Sequence, residues 1–313
     1  MSFFSFIYWG RKKAVSPLEK NKNPSPNEIL IIPGSVEVTL LKNDIVALNL
    51  DSPINIKRNL QEIIDQINAK NGLSILAHPT YLIKPYPCNK LRRLNNFLGI
   101  EIYNPGKIPW PESTHIWDFL LSYKYGEKIW GFASDDMHDL KRDAGRAWIV
   151  VMAKDKKIPD ILEALKKGSF YSSTGPSIEE IFSDSNHIGI RINKPSKILF
   201  IGFRHKILKV SFGKETVYSL RPEDKYIRIE IRDFESKKKA WTQPIFVQGG
   251  KIIYSPYSEK RKWLKGCIHI HTDLNGGKNN LNEVIEWYKR YGYDFLAITE
   301  HNFITHPKNL VNI

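Results

Sequence analysis

A chain of 313 residues is long enough to bury a sizeable core without covalent staples. Its two cysteines, Cys88 and Cys267, exclude a disulfide framework and point to a reducing, cytoplasmic setting. Lys and Arg outnumber Asp and Glu by 47 to 33, a formal net charge of +14, which either favours anionic partners such as phosphate esters or nucleic acid or reflects a lysine-rich solvated surface.

The opening "MSFFSFIYWGRKK" has a short apolar run with its charges after it. A spanning helix needs about 20 apolar residues and an export signal carries its charges first, so no membrane partner is expected. Residues 1–27 read as a polar N-terminal extension. From 28 to 185, apolar runs alternate with amphipathic helical patterns. "ILII", "DIVALNL", "LSILAH", "LGIEIYN", "IWGFAS" and "AWIVVM" read as strands, and "IKRNLQEIIDQINAKNG" and "IPDILEALKKG" as helices ending near Gly72 and Gly168. That alternation implies a parallel sheet or an α/β barrel.

Residues 186–250 change to a period of two in "KILFIGF", "ILKVSF" and "YIRIEIRDF", a small all-β module. Lys237, Lys238 and Lys239 within it form no extended aromatic-basic stripe, so charge alone gives nucleic acid little support as a partner. Residues 251–313 comprise a linker and a last strand–helix–strand unit, "GCIHIHT", "LNEVIEWYKRYG" and "YDFLAITEHN", in which Asn280 and Glu283 are spaced as a capping pair. Such a unit cannot bury both faces alone, so it should complete the α/β layer begun before the β module.

Side chains at i and i+2 on a strand share a face, so His269 and His271 can reach one cation. Cys267 shares that face but has no second thiol and reads as a small buried side chain. Further donors stand at strand ends, where α/β barrels build their sites: His301 ends "FLAITEHN", Glu37 follows "ILIIPGSV", His78 ends "LSILAHP", and Asp136 and His138 follow "IWGFAS" in "SDDMHD". Mixed imidazole and carboxylate donors suit zinc, manganese or iron, and this many imply two or three divalent ions. Clustered metals point to hydrolysis.

The motifs "HIHT", "ITEHN", "IPGSVEVT", "LAHP" and "ASDDMH" resemble those of the PHP (polymerase and histidinol phosphatase) superfamily of metallohydrolases. "GYDFLAITEHN", "GIEIYN", "HIWDFLLS", "FYSSTGP" and "AWTQPIFV" are similar to its carbaryl-hydrolase-like branch. The resemblance implies a distorted (β/α)7 PHP-type barrel of TIM-like kind. It further implies that His269, His271 and Asp136 hold one ion, that Glu37 bridges to a second held also by His78, and that His301 and His138 serve a third.

Three departures accompany it. The "HIHT" and "ITEHN" motifs open the family's chain and here follow everything else, which implies a circular permutation with the β module between the two barrel parts, or an assembly artefact of the gene. The family's acidic residue after the paired histidines falls at Gly276. Its histidine after the Glu strand falls at Asp44, which can still ligate. Beside these, Glu101 is a candidate support for a ligand or an ordinary inward polar group, and Asp135 either orients a ligand histidine or caps a turn. Arg142 and Arg146 are candidate phosphate-binding residues or parts of a solvated loop. His115 and Trp117 read as packing, and "YSSTGP" as turn chemistry.

The resulting expectation is a metal-dependent hydrolase, in the first place a phosphoesterase using a metal-bound hydroxide with no other catalytic residue, acting on a small phosphorylated or ester substrate. Carbamate or carboxylic ester hydrolysis on the same metals, and a degenerate non-catalytic metal- or nucleic-acid-binding module, are the alternatives.

Overall fold

The computed structural model describes residues 8–9, 28–40, 43–56, 58–81, 86–106, 110–259 and 261–304. Most of the N-terminal extension therefore lies outside the described residues; its Tyr8–Trp9 pairs in parallel with Phe303–Ile304.

The expected strands form, as Leu30–Ile31, Ile45–Leu48, Leu73–Leu76, Gly99–Tyr103, Trp130–Ala133 and Trp148–Ala153. The helix Leu60–Ala69 starts at Asn59, whose side chain accepts from the Glu62 N–H, and buries Ile63, Ile64 and Ile67. Helix Ile158–Lys167 stops at Gly168, which takes φ +73° as a left-handed C-terminal residue must. Helix Leu281–Arg290 carries the full capping box of Asn280 and Glu283.

The arrangement of these elements differs from the expected one. The strands form a 12-stranded mixed sheet and a separate 5-stranded one, with a two-stranded pair at the termini, and only five α-helices occur among the described residues. This is not a permuted (β/α)7 PHP-type barrel, nor a TIM-like one. A (β/α) barrel needs parallel strands, each returned by a helix. Here Val36–Val38, Ile45–Leu48 and Leu73–Leu76 are antiparallel neighbours, and Trp148–Ala153 is antiparallel to both Phe170–Ser173 and Lys262–Cys267. The connection over residues 39–44 is too short for a crossover helix, which takes a dozen residues or more, so the chain turns back as a hairpin. Nor do the β-rich strands stand apart as an insertion. Lys239–Thr242 pairs directly with Phe170–Ser173, so the sheet runs on through them. The expected linker is a hairpin, Ile245–Gln248 with Lys251–Tyr254, followed by the strand Lys262–Cys267.

The two sheets touch at their edges through single bridges, Glu37 with His301 and Met137 with Ile270. Three apolar cores hold the rest. The largest joins the 5-stranded sheet to helices Leu60–Ala69, Thr114–Tyr123 and Ile158–Lys167. A second fills the β-rich region, and a third lies under Leu281–Arg290 against Met137, Cys267 and Ile270. No helix among the described residues is long and apolar enough to cross a membrane.

Helix Thr114–Tyr123 is fastened to the strand Tyr226–Asp233 by an ion pair. Arg228, fully buried, donates from Nε and Nη2 to both oxygens of buried Asp118, at 2.7 and 2.6 Å. Burial pushes the Asp118 carboxyl up, but the Arg228 charge and hydrogen bonds, with His205, outweigh it and hold it below its ordinary value. The Asp118→Ala variant should lose about 3–5 kcal/mol of stability in chemical denaturation, because it strands a buried guanidinium. A group with a depressed folded pKa contributes stability above its unfolded pKa, so the wild-type advantage should be full above about pH 4 and fade as pH falls through the lowered value.

Candidate metal centre

The seam between the sheets gathers the polar residues that follow the apolar strands. Glu37 is the middle of Val36–Val38, and its backbone pairs with the His301 segment: its N–H donates to Glu300 O, and Asn302 N–H donates to Glu37 O. Across the seam, His271 N–H donates to Met137 O at 2.8 Å, so Met137 pairs with Ile270. Alternation about that bridge sends Ile270 into the core under Leu281–Arg290 and turns both His269 and His271 into the seam, where both are wholly buried. His78 and Asp136 stand there in left-handed backbone, at φ +30° and +49°, a strain of order 1–3 kcal/mol each that recurs where function fixes a side chain.

Two carboxylates sit among the imidazoles. Glu37 Oε2 lies 3.5 Å from His269 Nε2, 3.4 Å from His271 Nε2 and 2.7 Å from His301 Nδ1, while its Oε1 is 3.0 Å from His78 Nε2. Asp136 Oδ1 lies 3.3 Å from both His269 Nε2 and His271 Nε2 and 3.6 Å from His138 Nδ1. Asp44 Oδ2 is 3.9 Å from His78 Nε2. All eight residues singled out in the sequence as metal donors are thus brought together. Four sets have donor atoms within 4.8 Å of one another: Glu37, His269 and His271; His78, Asp136 and His269; Glu37, Asp44 and His78; His138, His271 and His301.

The donors fit a divalent cation. Buried polar atoms normally find a hydrogen-bond partner, yet His269 Nε2, His78 Nδ1 and both nitrogens of His271 make none. Burial pushes the His269 imidazole down, but Asp136, Glu101 and Glu37 overcome it and raise it well above its ordinary value, which means the seam favours positive charge. Burial holds His271 down at about 4 against the pull of Asp136 and Glu37, leaving a neutral imidazole with a lone pair to offer.

Residues behind the donors fix them. Glu101 Oε1 is 2.7 Å from His269 Nδ1, and Glu101 Oε2 accepts from the His78 N–H at 2.7 Å and from Asn104 Nδ2 at 2.9 Å. The same Asn104 nitrogen reaches Asp136 Oδ2 at 3.1 Å. Asp135 caps a turn: it accepts from the N–H groups of Gly145, Arg146 and Ala147 and from the Tyr288 hydroxyl, and burial still lifts its carboxyl to about 6. Thr39 Oγ1, 2.8 Å from His301 Nδ1, and Glu300 were not singled out by sequence reasoning. Glu300, buried behind Thr272 and lifted to about 7 by burial, is the middle residue of the "TEH" triplet, which was the signal.

The set of His138, His271 and His301 differs from the others. The His138 and His301 rings each stack on His271, at 4.2 and 4.3 Å, and lie 5.8 Å from one another. A Cβ at Gly276 would lie 3.0 Å from His301 Cδ2 and 3.9 Å from His138 Cδ2, so a side chain there would project into this set. With φ +108°, the position instead favours glycine. Among the arginines, Arg142 is committed to Asp143 through Nε and Nη2, at 2.6 and 2.8 Å, whereas among the described residues the Arg146 side chain donates only to Pro105 O, at 3.5 Å. His115 is exposed on its helix, and Trp117 is buried with its indole N–H on Ile129 O.

Support residues of this kind typically carry a tenfold to hundredfold effect on metal affinity. Glu101→Ala should therefore weaken zinc or manganese binding by about tenfold to hundredfold in a chelator-competition titration, while Glu283→Ala, remote at its helix terminus, leaves it unchanged. No family profile matches the chain, and no curated protein matches it either.

Proposed function

We propose that the protein is a metal-dependent hydrolase acting on a phosphoester, and that the PHP resemblance holds for its donor set though not for its barrel. The observation that carries this reading is the convergence of five imidazoles, three of them buried, on Glu37 and Asp136 with imidazole nitrogens left without hydrogen bonds. Glu37, His269, His271 and Asp136 would hold one ion, and His78 with Glu37 and Asp44 a second. His138, His271 and His301 form a third set that lacks a carboxylate of its own. Bound there, divalent ions would supply a nucleophile at neutral pH and stabilise charge on the attacked phosphoryl centre.

The chain's own residues set the geometry for this. Glu101 takes the His269 Nδ1 side, which leaves Nε2 aimed at Glu37 and Asp136. Asn104 ties Asp136 to Glu101, so the two sides of the seam are held by one amide. Burial of His269, His271, Glu37 and Asp136 excludes bulk water and strengthens every charge interaction among them. The partly exposed His138 and His301 mark the side open to solvent, where a substrate can enter. Cys88 and Cys267 are unpaired, which suits the cytoplasmic setting included in this reading.

The protein with manganese or zinc restored should hydrolyse aryl phosphates. His269→Ala and Asp136→Ala should each lower kcat/KM by more than a hundredfold, beyond what loss of a support residue produces. Turnover of aryl carbamates or carboxylic esters without phosphatase activity would replace the substrate class, and retained metal with no turnover on either panel would sink the hydrolase reading.

A further inference from the structure

A charged hollow is lined by the neighbours of two segments that support the candidate metal centre, those of Asn104 and Asp135. It has a volume of about 360 Å³ and is lined by Tyr103, Arg146, Thr174 and the lysines 237, 238 and 239, with Glu112 as its one carboxylate. Glu112 Oε2 accepts from Lys239 Nζ at 2.6 Å, so one lysine is neutralised. Arg146, Lys237 and Lys238 pair with no carboxylate among the described residues: Lys237 Nζ donates to Phe234 O at 3.0 Å and Arg146 Nη1 to Pro105 O at 3.5 Å, so their charges are not neutralised, and the Tyr103 hydroxyl makes no hydrogen bond among the described residues. Their positions are built. The Arg146 N–H is clamped on Asp135, the neighbour of Asp136, at 2.7 Å. Tyr103 precedes Asn104, whose amide touches Asp136. The Lys238 stem lies across Gly175, where a Cβ would come within 2.6 Å of its Cδ, so the glycine of "YSSTGP" leaves room for the lysine to reach the hollow.

We propose that Arg146, Lys237 and Lys238, with the Tyr103 hydroxyl, form a second anion site that receives a further phosphate of a small substrate whose scissile phosphoester lies at the metal centre. The inference rests on the phosphoesterase reading for the first phosphate and adds the class of substrate, an organic bisphosphate. Unpaired cations in a concave site recognise a dianion through charge-assisted hydrogen bonds, and a guanidinium fork fits a phosphate edge. The hollow's limited volume favours a small molecule over a nucleic-acid strand, which would need a continuous basic groove.

The test is calorimetric and independent of turnover: fructose 1,6-bisphosphate and fructose 6-phosphate are titrated into the metal-restored full chain and into its Arg146→Ala, Lys238→Ala and Lys238→Arg variants. The wild type should prefer the bisphosphate by about tenfold or more. Arg146→Ala and Lys238→Ala should each bring the preference towards unity, and Lys238→Arg should keep it. An equal preference in wild type and both alanine variants would overturn the proposal, as would tighter binding of a short single-stranded oligonucleotide than of the bisphosphate. If the preference behaves as expected but no phosphate is released, the anion site stands and the phosphoesterase reading falls.

Discussion

The constraint on which the structure turns is the burial of Glu37, Asp136 and Glu101 in the seam between two sheets, each within 3.5 Å of a ring nitrogen of His269. Buried carboxylates are tolerated only when opposing charge or hydrogen bonds answer them. Here the answer comes from five imidazoles carried on segments far apart in the chain, so the cluster closes only when both sheets meet. The edge bridges at Glu37–His301 and Met137–Ile270 are therefore part of the site as much as part of the fold. Left-handed backbone at His78 and Asp136 is the conformational cost of aiming their side chains into so small a volume.

The same electrostatic logic appears a second time, far from the seam and with a different outcome. Asp118 and Arg228 form a bidentate pair, and Glu230 lies 3.5 Å from the same guanidinium, so charge is balanced within the protein itself. At the candidate metal centre it is not. Three carboxylates raise the His269 imidazole well above its ordinary value, while burial holds His271 beside it down at about 4. A group of acids that must raise one imidazole to find a counter-charge is better satisfied by a cation, whereas the Asp118–Arg228 pair gains nothing from one.

Much of the site was legible in the sequence, because a polar side chain directly after a continuous apolar run has few places to go. His78 stands directly after such a run, Asp136, His138 and His301 lie a few residues beyond one, and His269 and His271 alternate with Ile270, whereas Glu37 lies within its strand. Glu300 went unnoticed because it sits between a threonine and a histidine that each looked sufficient by itself. The architecture was less legible. Alternating strands and helices suggested parallel pairing, but strand direction is set by the length and path of each connection, and the hairpin over residues 39–44 reverses it at once. Nor does period-two patterning reveal where a sheet ends. The hydrogen bonds from Lys239–Thr242 to Phe170–Ser173, which merge the β-rich region with its neighbours, leave no trace in either strand's own sequence.

Gly276 shows how one absent side chain orders the metal sets. Each of the other three sets includes at least one carboxylate, whose negative charge offsets the loss of a cation's hydration. The set of His138, His271 and His301 offers imidazoles alone, and His271 is shared with the set centred on Glu37. An ion at the carboxylate-bearing set would therefore engage the shared imidazole and repel a second cation placed beside it. A side chain at position 276 would point at His301 and His138 and could carry the missing charge, but the backbone there has adopted a conformation that favours glycine. On this reading occupancy would begin among Glu37, Asp136, Asp44 and the deeply buried histidines, and the solvent-facing imidazoles would be left freer to meet whatever enters from outside.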